Sequence, residues 1–229
     1  MRTNKLLVVV HCVNRRQVLE NVAIAVQEGA DGVFLINHEI SAKALVEVYA
    51  KVDQAMGAQY FIGLNFLGVP PLQVVDLLSK AWNSSGIWCD DMGYVEGGSE
   101  HIDNIDMPLK IRNTLKNLGY KGLTFAPVDF KYQLAAKNLS HATKTMSHFG
   151  DVVTTSGPRT GSPPALEKIF AMREAVPDVP VAIASGITPE NVDPFLDHVD
   201  YFLVATGISK SHTELDPSRV RLMANKMRK

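Results

Sequence analysis

Two small-residue turns near the C-terminal end of the chain have the composition of an anion cradle. Ser185, Gly186, Ile187 and Thr188 close the apolar run Pro180 to Ala184, and Ala205, Thr206 and Gly207 close the run Tyr201 to Val204. Glycine lets backbone N–H groups come close to a ligand, hydroxyls add donors, and a helix start after the turn adds positive potential. With Ser209 and Lys210 beside them, these groups suit a phosphate dianion. Thr155, Ser156 and Gly157, in the stretch TTSGPRTGSPP, offer donors to the same anion or to a sugar attached to it.

Acid–base chemistry points elsewhere, to Asp90 and Asp91. Adjacent residues at a strand end point to opposite sides, so at most one of the two faces the barrel axis while the other caps or pairs outside. Such a carboxylate acts as a general base if burial or anionic neighbours raise its pKa, or as a metal ligand with oxygen partners such as Glu39 or Glu96. His11 and Asn65 end other apolar runs and suit the orienting of a sugar or base, and Lys131 follows a fifth. Cys12 and Cys89 also lie near run ends, but no base is fixed beside either, and both read as core cysteines. His38-Glu39-Ile40 lacks the second histidine of a zinc metalloprotease. The two cysteines form no CxxC spacing, and no metal ligands are assigned; a divalent metal enters as an alternative involving Asp90, Asp91 and Glu39.

These residues need a scaffold that brings run ends together. Apolar, β-branched runs recur at Leu6 to Val10, Gly32 to Ile36, Tyr60 to Leu64, Gly86 to Cys89, Gly122 to Phe125, Asp151 to Val153, Pro180 to Ala184 and Tyr201 to Val204. They are continuous rather than alternating, as in parallel strands covered on both faces. Helical patterns lie between them. Asn14 caps a helix with Val18, Val22, Ala25 and Val26 on one face, and Ser41 opens another carrying Leu45, Val48, Tyr49 and Val52. Thr188-Pro189 and Asp216-Pro217 read as further helix starts. Eight evenly spaced strands predict a single α/β domain over residues 1–229, a (β/α)8 TIM barrel with an eight-stranded parallel core.

In such a barrel the active site lies at the C-terminal ends of the strands, with phosphate often held after strands 7 and 8. Glu28, Asp31, Lys121, Asp178 and Asp200 precede strands and fall at the opposite face as solvated or stability residues. The irregular stretch Asp90 to Asp106 is a candidate lid.

At 229 residues, with 46% hydrophobic and 21% charged side chains, the chain can bury one sizeable core. Its 23 basic and 24 acidic residues give a net charge of -1, so no basic field favours nucleic acid or an anionic membrane. A small phosphorylated ligand is the expected partner, with homo-oligomer formation left open. Two distant cysteines argue against a disulfide framework, and the start leads into a strand without a signal-peptide pattern. A cytoplasmic location is expected.

The motifs resemble the BtpA and SgcQ group of (β/α)8 proteins over nearly the full length. The resemblance rests on His11, on Gly63 and Asn65 in GLN, on Asp91, Gly93, Glu96 and Gly97 in DMGYVEG, on Lys131, and on VTTSGPRTGSPP, SGITPENV and TGISK. SGITPENV is shared more loosely with ribulose-phosphate-binding barrels. The chain departs from the pattern at Cys12 to Arg15, where a Pro-Leu-Pro-Gly turn is usual, and at Ile36-Asn37 in place of Glu-Asn. It also has Ala126-Pro127-Val128 for Ala-Asp-Val and Lys131-Tyr132 for Lys-His.

The resemblance implies photosystem I biogenesis, nucleosidase or phosphoribosyl-handling roles. Three functions are expected in turn. The first is an enzyme on a phosphoribosyl or nucleoside phosphate compound with no organic cofactor, using Asp91 or Glu96 as acid or base. The second is a ligand-binding regulatory or assembly factor, and the third a metal-assisted hydrolase.

Overall fold

The computed structural model describes residues 4–57, 59–97 and 102–228. Its strands are β1 (Lys5–His11), β2 (Gly32–Ile36), β3 (Phe61–Asn65), β4 (Gly86–Trp88), β5 (Leu123–Pro127), β6 (Val152–Thr155), β7 (Val181–Ile183) and β8 (Tyr201–Val204). All pair in parallel in chain order, and β8 closes on β1, so the sheet is a barrel. The helices are α1 (Arg15–Gln27), α2 (Ala42–Met56), α3 (Pro71–Leu78), α4 (Asp106–Asn117), α5 (Leu139–Met146), α6 (Leu166–Ala175) and α7 (Pro217–Met227). This is the (β/α)8 TIM barrel expected from the run pattern. None of the described helices is long and apolar enough to cross a membrane.

Local chemistry starts the helices as read. Asn14, Ser41 and Asp216 each accept a backbone N–H at the start of α1, α2 and α7. Val18, Val22 and Ala25 are buried on α1, whereas Val26 at the end of that stripe is exposed. After β7 the expected helix does not form. Asn191 accepts the Thr188 N–H and donates to the Gly186 carbonyl, and the chain makes only a 3-10 turn at Asp193–Phe195.

The strands are buried on both faces. One apolar layer lies between sheet and helices; a second fills the barrel interior with Leu7, Val9, Phe34, Trp88, Phe125 and Leu203. Phe34 is the hub of this interior, with Phe125 and Trp88 edge-on at 5.0 and 5.8 Å. Gly63 makes the room for it, because a Cβ there would lie 2.4 Å from the Phe34 ring. This aromatic plug forms the floor beneath the C-terminal ends of the strands.

The N-terminal face carries a repeat that residue identities conceal. The residue just before each even-numbered strand accepts, through its side chain, an N–H near the start of the preceding odd strand. Asp31 takes Leu6 N, Ser85 takes Ile62 N, Asp151 takes Thr124 N and Asp200 takes Val181 N, at 2.8–3.0 Å. Each of the four returns its own N–H to the carbonyl of the same strand residue. Four two-bond clasps thus tie the barrel in pairs of strands. Asp31 and Asp200 are the stability residues expected at this face.

Candidate functional site

A cavity of about 320 Å³ opens at the C-terminal ends of the strands. Its wall holds His11 at the end of β1, Asn65 at the end of β3, Asp90 just past β4 and Lys131 past β5. It also holds the Ser185-Gly186 turn after β7 and the Thr206-Gly207 turn after β8, the latter beside β1. The strand-end rule therefore collects carboxylate, cation, amide and small-residue turns around one space.

The centre of the polar wall is Asp90. Asn65 donates Nδ2 to its Oδ1 at 3.4 Å, and its backbone carbonyl accepts from Gln133 Nε2 at 2.8 Å. Burial raises its carboxyl pKa above the ordinary range, and the Lys131 charge and the Asn65 bond oppose that rise. Two polar atoms in the cavity lining are buried without a partner among the described residues: Asn65 Oδ1, an acceptor, and Trp88 Nε1, a donor. Each such orphan costs about 1–3 kcal/mol.

The two C-terminal turns meet through their backbones. Gly186 has φ +68°, and a Cβ there would lie 2.1 Å from the Pro163 nitrogen. A Cβ at Gly207 would lie 2.0 Å from the Ile187 carbonyl oxygen. Both glycines are thus required by contacts within the protein. The backbone N–H groups of Gly186 and Ile187 make no hydrogen bond among the described residues, nor do those of Thr206 and Gly207 at the start of a 3-10 turn. All four residues line the cavity.

Other expected residues lie outside the cavity wall. Asp91 points away from the axis, as the alternation at a strand end requires of one member of the pair, and accepts the Gly93 N–H at 2.7 Å. Glu96 accepts the N–H groups of Lys137 and Asn138 where the chain enters α5. Both line a second cavity of about 400 Å³ beside β5.

The described part of the candidate lid bonds to α5 through Glu96 and Asp103. Val95 and Asn104 exchange backbone bonds, and Asp103 accepts from Gly97 N and pairs with His141 on α5. Residues 98–101 of that stretch lie outside the described residues.

Thr155, Ser156 and Gly157 form a buried buttress. Ser156 Oγ accepts the Lys131 N–H at 2.7 Å, Thr155 Oγ1 reaches the Asp129 carbonyl at 3.5 Å, and a Cβ at Gly157 would strike the Ser162 carbonyl oxygen at 2.0 Å. This part of the stretch positions Lys131, while Thr160 and Gly161 further along reach the cavity. Ser209 returns its hydroxyl to the Ala205 carbonyl, and the Lys210 backbone pairs with Glu214. The cation in the cavity wall is Lys131. Cys12 and Cys89 are buried thiols whose pKa burial pushes up to about 12, the reverse of nucleophile activation.

One group escaped the sequence reading. His212, in the loop after the Thr206–Ile208 turn, lies in the same cavity wall as His11 and His38. It is eight residues past the end of β8, beyond any strand-end rule.

The model of one protein family, the BtpA family, matches residues 99–229. An uncharacterized protein of Pyrococcus furiosus is 26% identical over 129 residues, and one of Methanocaldococcus jannaschii 28% over 148 residues. These matches take in 56% and 62% of this chain, and 45% and 52% of those proteins, so the chain spans about half the length of the curated relatives it matches.

Among solved structures, phosphoribosyl anthranilate isomerase of Thermus thermophilus aligns with a TM-score of 0.64 at 14% identity, over 98% of each chain. Orotidine 5'-monophosphate decarboxylase of M. jannaschii aligns with a TM-score of 0.71 at 13% identity, over 99% of this chain and 100% of its own. Tryptophan synthase subunit alpha of Legionella pneumophila gives 0.73 at 10% identity, over 98% and 93%. At such identities the likeness is one of fold.

Proposed function

This chain belongs to the BtpA family, and from that premise we propose that its barrel mouth binds a phosphorylated sugar, as a phosphoribosyl or nucleoside phosphate compound, and acts on it chemically. The observation that carries the reading is one cavity lined both by backbone N–H groups with no partner among the described residues and by the part-buried Asp90 carboxylate. Phosphate sits against the N–H groups of Gly186, Ile187, Thr206 and Gly207, with the Ser185 and Thr206 hydroxyls beside it. The sugar then extends toward Asn65 and Trp88, whose orphan acceptor and donor match hydroxyl groups. Isomerase, decarboxylase and synthase neighbours share the fold, which agrees with such a ligand without naming the reaction.

Asp90, rather than Asp91 or Glu96, is the acid–base group of this proposal. Its raised pKa brings proton exchange closer to neutral pH, and Lys131 beside it stabilises negative charge that develops on the substrate. The same carboxylate can face an oxocarbenium-like centre in anomeric chemistry or shuttle a proton in an isomerisation.

Thermal unfolding against inorganic phosphate, ribose 5-phosphate, phosphoribosyl pyrophosphate and nucleoside monophosphates tests the proposal. A phosphoribosyl compound is expected to raise Tm by mass action, about 2.7 kcal/mol of stability at 100 times its Kd. Thr206→Val should weaken that shift. Stabilisation without turnover of any ligand would reassign the barrel as a ligand-binding regulatory or assembly factor, and no response to any phosphorylated compound would overturn the reading.

A further inference from the structure

Three histidines far apart in sequence meet on the β1–β2–β8 side of the mouth. His11 ends β1, His38 lies two residues past β2, and His212 lies in the loop before α7. Each offers one ring nitrogen, and the three nitrogens lie within 4.8 Å of one another. Ring centroids are 4.1 Å apart for His11 and His212, 4.9 Å for His38 and His212, and 5.2 Å for His11 and His38. We propose that His11, His38 and His212 form a binding site for one borderline divalent transition-metal ion of the Zn²⁺ type, in the wall of the same cavity.

The chemistry of the donors selects that class of ion. Imidazole suits Zn, Cu, Fe and Ni, whereas Mg²⁺ and Ca²⁺ take oxygen ligands. Three imidazoles leave a fourth position for water or substrate, as in catalytic zinc sites. Bonds of about 2.0–2.1 Å in a tetrahedron separate ligand nitrogens by about 3.3 Å. The 2.9 Å between His11 Nδ1 and His212 Nε2, and the 4.8 Å limit on all three, bracket that distance.

Protonation and support agree with the geometry. Two ring nitrogens at 2.9 Å can share only one proton, so at least one is an acceptor, the form a metal needs. Glu39 Oε1 lies 3.2 Å from His38 Nδ1, where a carboxylate orients a ligating histidine and leaves His38 Nε2 to the ion.

The loop carrying His212 is held in place. Buried Asn21 on α1 donates to the Thr213 carbonyl at 2.7 Å and accepts the Leu215 N–H, while Gln17 bridges the Thr213 and His11 carbonyls. An ion in this wall supplies a Lewis acid to oxygen atoms in the cavity. The proposal stands apart from the phosphate reading and rests on none of its donors.

The test uses the full chain, stripped with chelator and held in phosphate-free buffer. Zn²⁺ is titrated calorimetrically, and Co²⁺ by its visible absorption, at pH 6 and pH 8. One ion per chain is expected, bound more tightly at pH 8 because binding displaces protons, with the intense Co²⁺ band of a low-coordinate site. His212→Ala should weaken Zn²⁺ binding by about 100-fold or more, since loss of outer partners alone costs 10–100-fold. The His212 side chain is half exposed, so Tm of the metal-free variant should stay close to that of the parent, and His148→Ala, remote from the cluster, should bind as the parent does. Unchanged Zn²⁺ affinity in both His212→Ala and His38→Ala would overturn the site. So would inorganic phosphate binding that strengthens at pH 6 and depends on His212, which would make the cluster an anion platform instead.

Discussion

Asp151 and Thr124 are joined by two hydrogen bonds: Asp151 Oδ2 accepts the Thr124 N–H at 2.8 Å, and the Asp151 N–H donates to the Thr124 carbonyl at 2.9 Å. The clasp fixes the register of β5 against β6 at the face opposite the cavity. Asp151→Ala leaves a strand-end N–H without its acceptor, at a cost of about 1–3 kcal/mol. In a chain of this size each kcal/mol lowers Tm by about 2–4 °C. Affinity for any ligand found at the mouth should stay unchanged, and parallel melting and binding curves check the separation of the two faces.

Gly186 and Gly161 both line the cavity and both have positive φ, yet alanine should affect them differently. At Gly161 (φ +79°) a Cβ would meet nothing within 4 Å, so the variant pays only the left-handed strain, about 1–2 kcal/mol. At Gly186 the Cβ would also strike the Ser162–Pro163 backbone, which adds about 1–3 kcal/mol of overpacking. Urea unfolding of the two variants should show Gly186→Ala as clearly the less stable. Equal losses would mean that the 156–163 loop yields to the new methyl.

The scaffold was legible because continuous apolar runs and capping residues are local signals. Asn14, Ser41 and Asp216 cap as read, and the strand starting at Gly32 and the strand at Tyr201 have the expected limits. Thr188-Pro189 misled because Asn191 satisfies the polar groups that a helix start would have used. Strand-end position placed His11, Asn65, Asp90, Lys131, Ser185 and Thr206 around one cavity. It could not choose between Asp90 and Asp91, since alternation says that they differ without saying which faces inward. His212 was invisible for another reason: its place depends on the Asn21 clamp to a loop nearly two hundred residues away.

Asp129 holds the loop that carries Lys131. Its carboxylate pairs with Lys168 Nζ at 2.8 Å and accepts the Ala136 N–H, and it sits at φ +45°, where Asn is tolerated. Burial works against the charged form, but the Lys168 and Ala136 bonds outweigh it and hold the carboxyl below its usual range. A depressed carboxyl contributes stability above its unfolded pKa, about 3.9, and loses it as pH falls through the folded value. Asp129→Asn should therefore cost about 1.5–3 kcal/mol at pH 7, with the gap between variant and parent closing in acid below pH 4. Denaturant midpoints at pH 7 and pH 3 give the comparison.

Asp90 should show the opposite sign. Burial raises its pKa in the folded state, so the charged form is penalised, and the group's stability is full below the ordinary value of about 3.9 and lost as pH rises through the raised one. Asp90→Asn keeps the shape and an acceptor for Asn65 while removing the charge. At neutral pH this variant should melt above the parent, by about 2–4 °C for a gain of about 1 kcal/mol, and the advantage should vanish near pH 3. It should keep its affinity for the phosphorylated ligand and lose turnover by about 10²–10⁴-fold, the range for a missing general acid or base. A variant that melts below the parent at pH 7 would show that attraction to Lys131 outweighs burial, and a variant that keeps turnover would remove Asp90 from the chemistry.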